Sequence, residues 1–475
     1  RWNAFERVQA YTSVLWFFLL ALVRLLITDI YYAALVLSIA CCAATVWLMR
    51  KTIVNPIGYG TLLLALLASP SVIDYATSGL ENPLAYLLLT LFCWLVLDVD
   101  RAVFLRRLPV VLIVAGLTPL VRHDLAVLVW PTTTLLLFYH RSFLRLPMTI
   151  IWLIIAALPL VAWTAFSLIY YGSPVPNTAL AKLDTGISTG ELIQSGLSYV
   201  WVSCREDPVA GLLLAGGIGA ALWRGGMHRA IAVGILLHLV YVINIGGDFM
   251  RGRFLSFDVL LAALLLAHLQ HAMNWRKALP AAGIALLVVA LSPFSTLFPA
   301  AYFSNPAAPF LYVLAAIKLN NGVVDEKHIY LSNTGLMHRL RSGAVPSTAA
   351  GEDLQQCLMD RPCTKVIGMI GVFGYLAGHT AKIIDNMALS DPLLARLPPE
   401  NASHRAGHAS RRIPKGYVES VETGHNLIED KRVAALYDQI KLVTQSDDLF
   451  STERLHAIWL LNTGQLQHLA VSDYL

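Results

Sequence analysis

From Trp2 to about Phe298 the chain alternates long apolar runs with short polar loops. From about Pro299 to Leu475 the pattern is that of an ordinary globular segment. A transmembrane helix needs about 20 mostly apolar residues, with a range of about 17–25. Runs of this kind lie at 30–49, 57–73, 82–98, 148–170, 230–246, 254–271 and 278–298. The Gly-rich segment 208–223 is shorter and fits the same role. Segments 108–121 and 125–139 are also short and flank Arg122-His123-Asp124. They predict either two tilted helices meeting at a polar cap or a re-entrant pair. The pattern divides the chain into a membrane domain, 1–298, and a soluble domain, 299–475.

Positive charge marks cytoplasmic loops. Arg50-Lys51, Arg101/Arg106/Arg107, Arg141/Arg145, Arg224/Arg229 and Arg276-Lys277 each follow a span. With these inside, the spans alternate without conflict. The loops 74–81, 122–124, 171–207 and 247–253, and everything after 298, then face the far side. Segment 12–27 breaks the parity and carries Arg24 in its apolar stretch, so it is expected to lie along the outer interface. About ten crossings remain, with both chain ends outside. The chain opens Arg1-Trp2-Asn3, without Met or a signal peptide, which leads us to expect an N-terminal truncation.

Composition narrows the function classes. Hydrophobic residues make up 57% and charged residues 14%, against about 45–50% and about 25% in a soluble domain. This excludes a soluble enzyme and a disordered chain. A net charge of +5 is too small a surplus for polyanion binding, so no nucleic-acid partner is expected. There is no metal-ligand spacing of Cys and His, no Walker loop and no dinucleotide Gly motif.

The outer loops carry the unusual chemistry. They contain Ser78-Gly79-Leu80-Glu81-Asn82-Pro83, Arg122-His123-Asp124, the proline-rich stretch from Tyr170 to Lys182, and Gly246-Gly247-Asp248-Phe249-Met250-Arg251-Gly252-Arg253-Phe254. Ionisable groups near the bilayer are costly and point to function. Structural alternatives stand beside that reading. Glu81 can cap the helix beginning at Pro83. Arg122 and Asp124 can pair and close a hairpin. Arg251 and Arg253 can snorkel to headgroups, and Lys182 can be solvated. Together the loops suggest an outward polar cavity with both signs of charge. Cations there suit a phosphate, and carboxylates suit a sugar hydroxyl, a metal or general-base work.

At these loops the chain resembles membrane glycosyltransferases of the GT-C superfamily, nearest the terminal β-(1→2)-arabinofuranosyltransferases of mycobacterial cell walls. The matching residues are Glu6-Arg7-Val8-Gln9-Ala10-Tyr11-Thr12-Ser13 with Leu15-Trp16, Ser78-Gly79-Leu80-Glu81, Arg122-His123-Asp124, Pro176-Asn177-Thr178 with Lys182, and Gly247-Asp248-Phe249-Met250 with Gly252-Arg253-Phe254. Beyond 298 they continue as Ser390–Pro398, Arg405-Ala406-Gly407-His408 and Ile413–Tyr417.

The resemblance implies a mainly α protein: a polytopic GT-C-like helical domain followed by a small extracytoplasmic α/β domain that helps bind the acceptor. It implies an inverting enzyme in a bacterial cytoplasmic membrane. The sugar would pass from a polyprenyl-phosphate donor to a cell-envelope glycan on the outer side. It also places the acidic pair that supplies the base upstream of Glu6, before this chain begins. On that footing Asp124, His123 and Glu81 are the catalytic candidates. Arg122, Asn177, Lys182, Asp248, Arg251, Arg253 and His408 are the substrate-binding candidates, with Arg251, Arg253 and Lys182 for phosphate. The sequence establishes no cofactor; a divalent cation is compatible with the carboxylates, and the lipid-linked sugar is the donor substrate. Two other readings stay open: a transporter or flippase of a lipid-linked glycan, and a non-catalytic envelope assembly factor.

In the soluble part, 328–332, 365–370 and 381–385 predict strands, and 351–361, 390–396, 430–443 and 452–462 predict helices. The stretch 400–416, rich in His, Arg and Ser, predicts a loop over the membrane domain's mouth or a solvated basic loop. Cys41, Cys42 and Cys93 fall in spans. Cys357 and Cys363 are near in sequence, and an oxidising compartment permits their disulfide, although spacing alone does not fix the geometry.

Overall fold

The computed structural model describes residues 3–97, 100–182, 186–269, 320, 322–343, 351–359, 362–368, 370–400, 409–471 and 473. The expected domain boundary at 298/299, the span 278–298 and His408 lie outside the described residues. The chain is mainly helical and falls into two compact units. Ser13–Leu160 with Thr189–Lys327 form a helical unit. Arg1–Thr12, Val161–Ser188 and His328–Leu475 form a second unit.

In the described residues four helices are long and apolar enough to cross a membrane: Ile30–Thr52, Ala102–Val121, Leu146–Tyr170 and Gly226–Asn244. Six shorter apolar helices accompany them: Val14–Arg24, Pro56–Ala68, Asn82–Val96, Leu125–Tyr139, Pro208–Arg224 and Leu255–Leu269. The short segment read at 108–121 is therefore the end of a longer helix, Arg101–Val121, started by the Asp100 carboxylate accepting from Val103 N–H. Asp29, Asn55 and Asp207 start other helices in the same way, the last two with Pro at the first turn. The expected outer loop 171–207 contains an 18-residue helix, Thr189–Glu206.

Leu255–Leu269 is the hub of the helical unit. It packs against Pro208–Arg224, Pro56–Ala68, Asn82–Val96 and Gly226–Asn244, and nearly every residue along it is buried. Such a helix must be apolar all round. Where Gly217 faces the backbone of Ala262, and Gly234 that of Leu128, the helices approach without side chains between them. By contrast, Leu146–Tyr170 exposes Ile150, Ile151, Leu153, Ile154, Leu158 and Val161. An outward face of this composition suits hydrocarbon, not water.

The second unit has a core of Ile384, Leu393, Tyr417, Val433, Leu436, Tyr437 and Ile440. Strands Thr364–Val366 and Lys382–Ile384 pair in parallel, Thr364 opposite Lys382, with helix Ile370–Ala377 between them in sequence. Asn3 completes the edge by exchanging hydrogen bonds with the Ile383 backbone at 2.8 and 2.9 Å. Cys357 and Cys363 form a disulfide, with Cα atoms 5.2 Å apart. Helices Gly351–Met359, Lys431–Gln445 and Thr452–Asn462 lie where expected.

Two expectations need correction. Residues 328–332 are not a strand but part of helix Glu326–Thr334. The apolar run there is too short for its period to separate strand from helix, and Glu326 in the first turn favours the helix. Segment 390–396 is a turn ending in a single 3₁₀ turn, Leu394–Arg396. There the Asp391 carboxylate accepts from Leu393 and Leu394 N–H, holding the backbone in the turn.

Candidate functional site

Three loops of the helical unit bring their charges together. Glu81 stands at the start of Asn82–Val96, yet its side chain caps nothing. Its Oε1 instead accepts from Arg122 Nη1 at 2.8 Å and from Arg253 Nη2 at 3.2 Å. Arg122, at the joint between Arg101–Val121 and Leu125–Tyr139, also grips Asp124: Nε reaches Oδ1 at 2.9 Å and Nη2 reaches Oδ2 at 2.8 Å. The hairpin-closing pair therefore exists, but the same guanidinium extends beyond it to Glu81. Its Cζ stands 4.5 Å from the Phe254 ring centre and 5.3 Å from that of Phe257. The aromatic faces add attraction and exclude water.

The third loop, 246–254, doubles back through glycines of positive φ. At Gly247 and Gly252 a Cβ would run into Tyr199 and Ser71 respectively, so these turns require glycine. The loop delivers Arg253 to Glu81 and sets Asp248 Oδ2 3.7 Å from Arg253 Nη1. Asp248 is only 7% exposed, and both its Oδ2 and Arg253 Nε are buried without a hydrogen-bond partner.

Burial opposes ionisation throughout, but here the neighbouring charges win. Burial raises the Glu81 carboxyl, yet Arg253 and Arg122 together hold it below its usual range. Burial also raises Asp124, while Arg122 and the His238 hydrogen bond hold it far below. Arg122 is shifted the other way: desolvation lowers it, but Asp124 and Glu81 hold it above the ordinary guanidinium value. At neutral pH all three are charged.

Arg251, two residues before Arg253, has a different environment. It is buried, with Nη1 3.0 Å from Glu206 Oε2 and Nη2 2.9 Å from Asp325 Oδ2 and 3.5 Å from Asp74 Oδ2. Lys327 Nζ lies 2.6 Å from Asp74 as well. Burial is the main force pushing the Asp74 carboxyl up to about 6; Lys327 and Arg251 pull it down and Asp325 adds to the rise. Three carboxylates thus converge on one guanidinium. Among the described residues no group of three His, Cys, Asp or Glu is gathered to hold a metal ion.

Of the other predicted residues, His123 is exposed beside the cluster. Asn177 and Lys182 belong to the second unit. Asn177 is buried, and its amide nitrogen donates to the carbonyls of Ala388, Leu389 and Asp391 at 3.0–3.2 Å. That is the work of an anchor within the unit's own core. Lys182 is exposed.

Two residues of the cluster escaped sequence reasoning. His238 and Asp258 are 0% exposed, and His238 Nδ1 lies 2.8 and 3.0 Å from the two Asp258 oxygens. The other ring nitrogen, Nε2, faces Asp124 Oδ2 at 3.5 Å. The signal was present: an ionisable residue inside each of two apolar spans.

No known family model matches the chain, and no solved structure matches it. Two curated proteins do. The chain is 32% identical to the terminal β-(1→2)-arabinofuranosyltransferase of Corynebacterium glutamicum, over 56% of this chain and 44% of that protein. It is 30% identical to the Mycobacterium tuberculosis protein of the same name, over 53% of this chain and 46% of that one. The matches thus span less than half the length of these relatives. Both carry the name of the family that the loop residues suggested, and the chain is a distant relative of the terminal β-(1→2)-arabinofuranosyltransferases.

Proposed function

We propose that the chain is part of a GT-C glycosyltransferase that moves a pentofuranosyl unit from a polyprenyl-phosphate donor to a cell-envelope glycan, on the outer side of a bacterial cytoplasmic membrane. The observation that carries this reading is the buried cluster of Glu81, Arg122, Asp124, Asp248 and Arg253 at the loops of a unit built from apolar helices. The names of the two relatives supply the reaction class. The outer placement is supported by the basic loops at the opposite ends of the helices. It is also supported by the Cys357–Cys363 disulfide, a bond rare in reducing cytosol. The scheme has about ten crossings, with the C-terminal unit outside.

In this reading the transfer is an inverting displacement. A carboxylate takes the proton of the acceptor hydroxyl, and the acceptor oxygen attacks the anomeric carbon from the face opposite the phosphate. The bond from that carbon to the phosphate oxygen breaks, and its electron pair leaves on the polyprenyl phosphate. Cations must meet that charge. Arg253 fits the task, since its Nε is without a partner, whereas Arg251 is committed to three carboxylates. Asp248, with one bare oxygen, suits a sugar hydroxyl. Glu81 spaces the two guanidiniums.

The test uses the full-length protein in nanodiscs and a panel of synthetic polyprenyl-phospho-sugars with envelope glycan acceptors. Acceptor-dependent release of polyprenyl phosphate is expected, and is lost in Arg253→Ala and Asp124→Ala. Donor binding without turnover across the panel would overturn the reading.

A further inference from the structure

We infer that His238 and Asp258 are positioning residues: a protonated imidazole between two carboxylates that locks Asp124, and through it Arg122, Glu81 and Arg253, in register for the donor phosphate. This rests on the function proposed above.

The geometry is continuous. Asp258 holds one ring nitrogen of His238, and the other nitrogen faces Asp124. Asp124 chelates Arg122, Arg122 reaches Glu81, and Glu81 receives Arg253. Negative and positive groups alternate along the whole path. It starts on helices Gly226–Asn244 and Leu255–Leu269 and ends at Arg253 in the loop between them.

Donor counting assigns the proton. A neutral imidazole has one donor nitrogen and one acceptor. With a carboxylate oxygen at each nitrogen, the neutral ring would set a lone pair against one of them. With both carboxyls ionised, a ring that donates from both nitrogens satisfies both, and this is the state we assign. The Tyr241 ring stacks on His238 at 6.1 Å and the Phe257 ring meets it edge-on at 6.4 Å, so the site is walled by aromatic surface.

Packing alone gives no reason for these residues. Both sit in apolar helices and are fully buried. A buried ion pair is commonly replaced by apolar residues with no loss of stability. What apolar residues cannot do is fix the orientation of the Asp124 carboxylate. Without His238, Asp124 keeps only Arg122 as a charged partner, and the chain from Asp124 through Arg122 to Glu81 loses its anchor on the two buried helices. In metal sites the partners that orient a ligand are worth roughly 10–100-fold in activity, and the same scale is taken here for a group that orients a charged side chain.

The experiment compares wild type, His238→Asn and the double variant His238→Leu/Asp258→Leu, each full-length in nanodiscs. The double variant removes both buried charges together, so it is expected to keep its fold. The expected result is unchanged unfolding temperature and donor KM within about twofold, with kcat lower by roughly 10–100-fold. His238→Asn, which keeps a hydrogen-bond donor to one carboxylate, is expected to recover part of the loss. The imidazole ¹⁵N shifts in wild type, assigned by difference from His238→Asn, should show both nitrogens protonated. Full turnover in the double variant, or a ¹⁵N signature of a neutral ring, overturns the inference. Absence of turnover in wild type with any donor would instead count against the proposed function, and the ¹⁵N measurement would still decide the state of the ring.

Discussion

Replacing Arg122 by Ala removes the one group that two buried carboxylates share. The side chains of Arg122, Glu81 and Asp124 are 10%, 6% and 5% exposed, so water cannot take the guanidinium's place. Breaking a buried ion pair by deleting one partner costs about 3–5 kcal/mol, because the remaining charge stays buried. Arg253 still reaches Glu81 at 3.2 Å and softens the loss on that side. Asp124 keeps only the longer 3.5 Å approach of His238. The lost contacts to Phe254 and Phe257 add about 0.5–2 kcal/mol. The total is placed at about 4 kcal/mol. It would be read from unfolding of the full-length protein in one detergent, followed by tryptophan fluorescence.

The pH dependence checks the cause. Glu81 and Asp124 are held below the usual carboxylate range, so the stability they contribute is present above that range. In wild type it is lost only as pH falls through their depressed values. In Arg122→Ala the same carboxylates lose their partner, take up protons more readily, and relieve the buried charge as pH falls. The deficit of the variant should therefore shrink between pH 8 and pH 5. A variant within about 0.5 kcal/mol of wild type at pH 8 would refute the reasoning. So would a deficit independent of pH. A cycle with Glu81→Gln should give a coupling of at least about 1 kcal/mol.

Three further outcomes are expected. Burial pushes the Glu6 carboxyl up to about 8, with Asp391 adding to it, and pushes Asp391 up to about 7. Raised acids stabilise fully below their unfolded values and lose that contribution as pH rises through 7–8. The second unit should thus weaken from pH 5 to pH 9, and Glu6→Gln should flatten that slope; equal slopes in thermal melts would contradict it. Gly217→Ala drives a methyl into the Ala262 backbone and should cost about 1–3 kcal/mol, whereas Gly219→Ala, which meets open space, should cost little. If both variants melt alike, the close helix approach is wrong. Peptide mapping without reduction should recover Cys357 linked to Cys363 in protein taken from intact membranes. Free thiols at both positions would count against placing this unit outside the cytoplasm.

Although it missed the less apolar helices Thr189–Glu206 and Glu326–Thr334, the sequence by itself determined where most of the long apolar helices run and which loops carry charge. Those features are local: an apolar run of sufficient length, a carboxylate or amide at its start, a proline in its first turn. Glu81, Arg122, Asp124, Asp248 and Arg253 were legible because ionisable residues stand out between apolar spans. What each charge meets is a long-range matter, and only the tertiary structure decided it. Arg251 and Arg253 are indistinguishable in sequence, yet Arg251 is enclosed by carboxylates from three separate segments while Arg253 is left to Glu81 and Asp248. His238 and Asp258 read as isolated polar residues within spans until two helices and a loop bring them to Asp124. Asn177 carried the same polar signal, and folding spent its amide on three carbonyls more than 200 residues away in the chain. Local periodicity sets a backbone's conformation, but an ion pair forms only where distant segments pack, and packing depends on the shape of every helix between them.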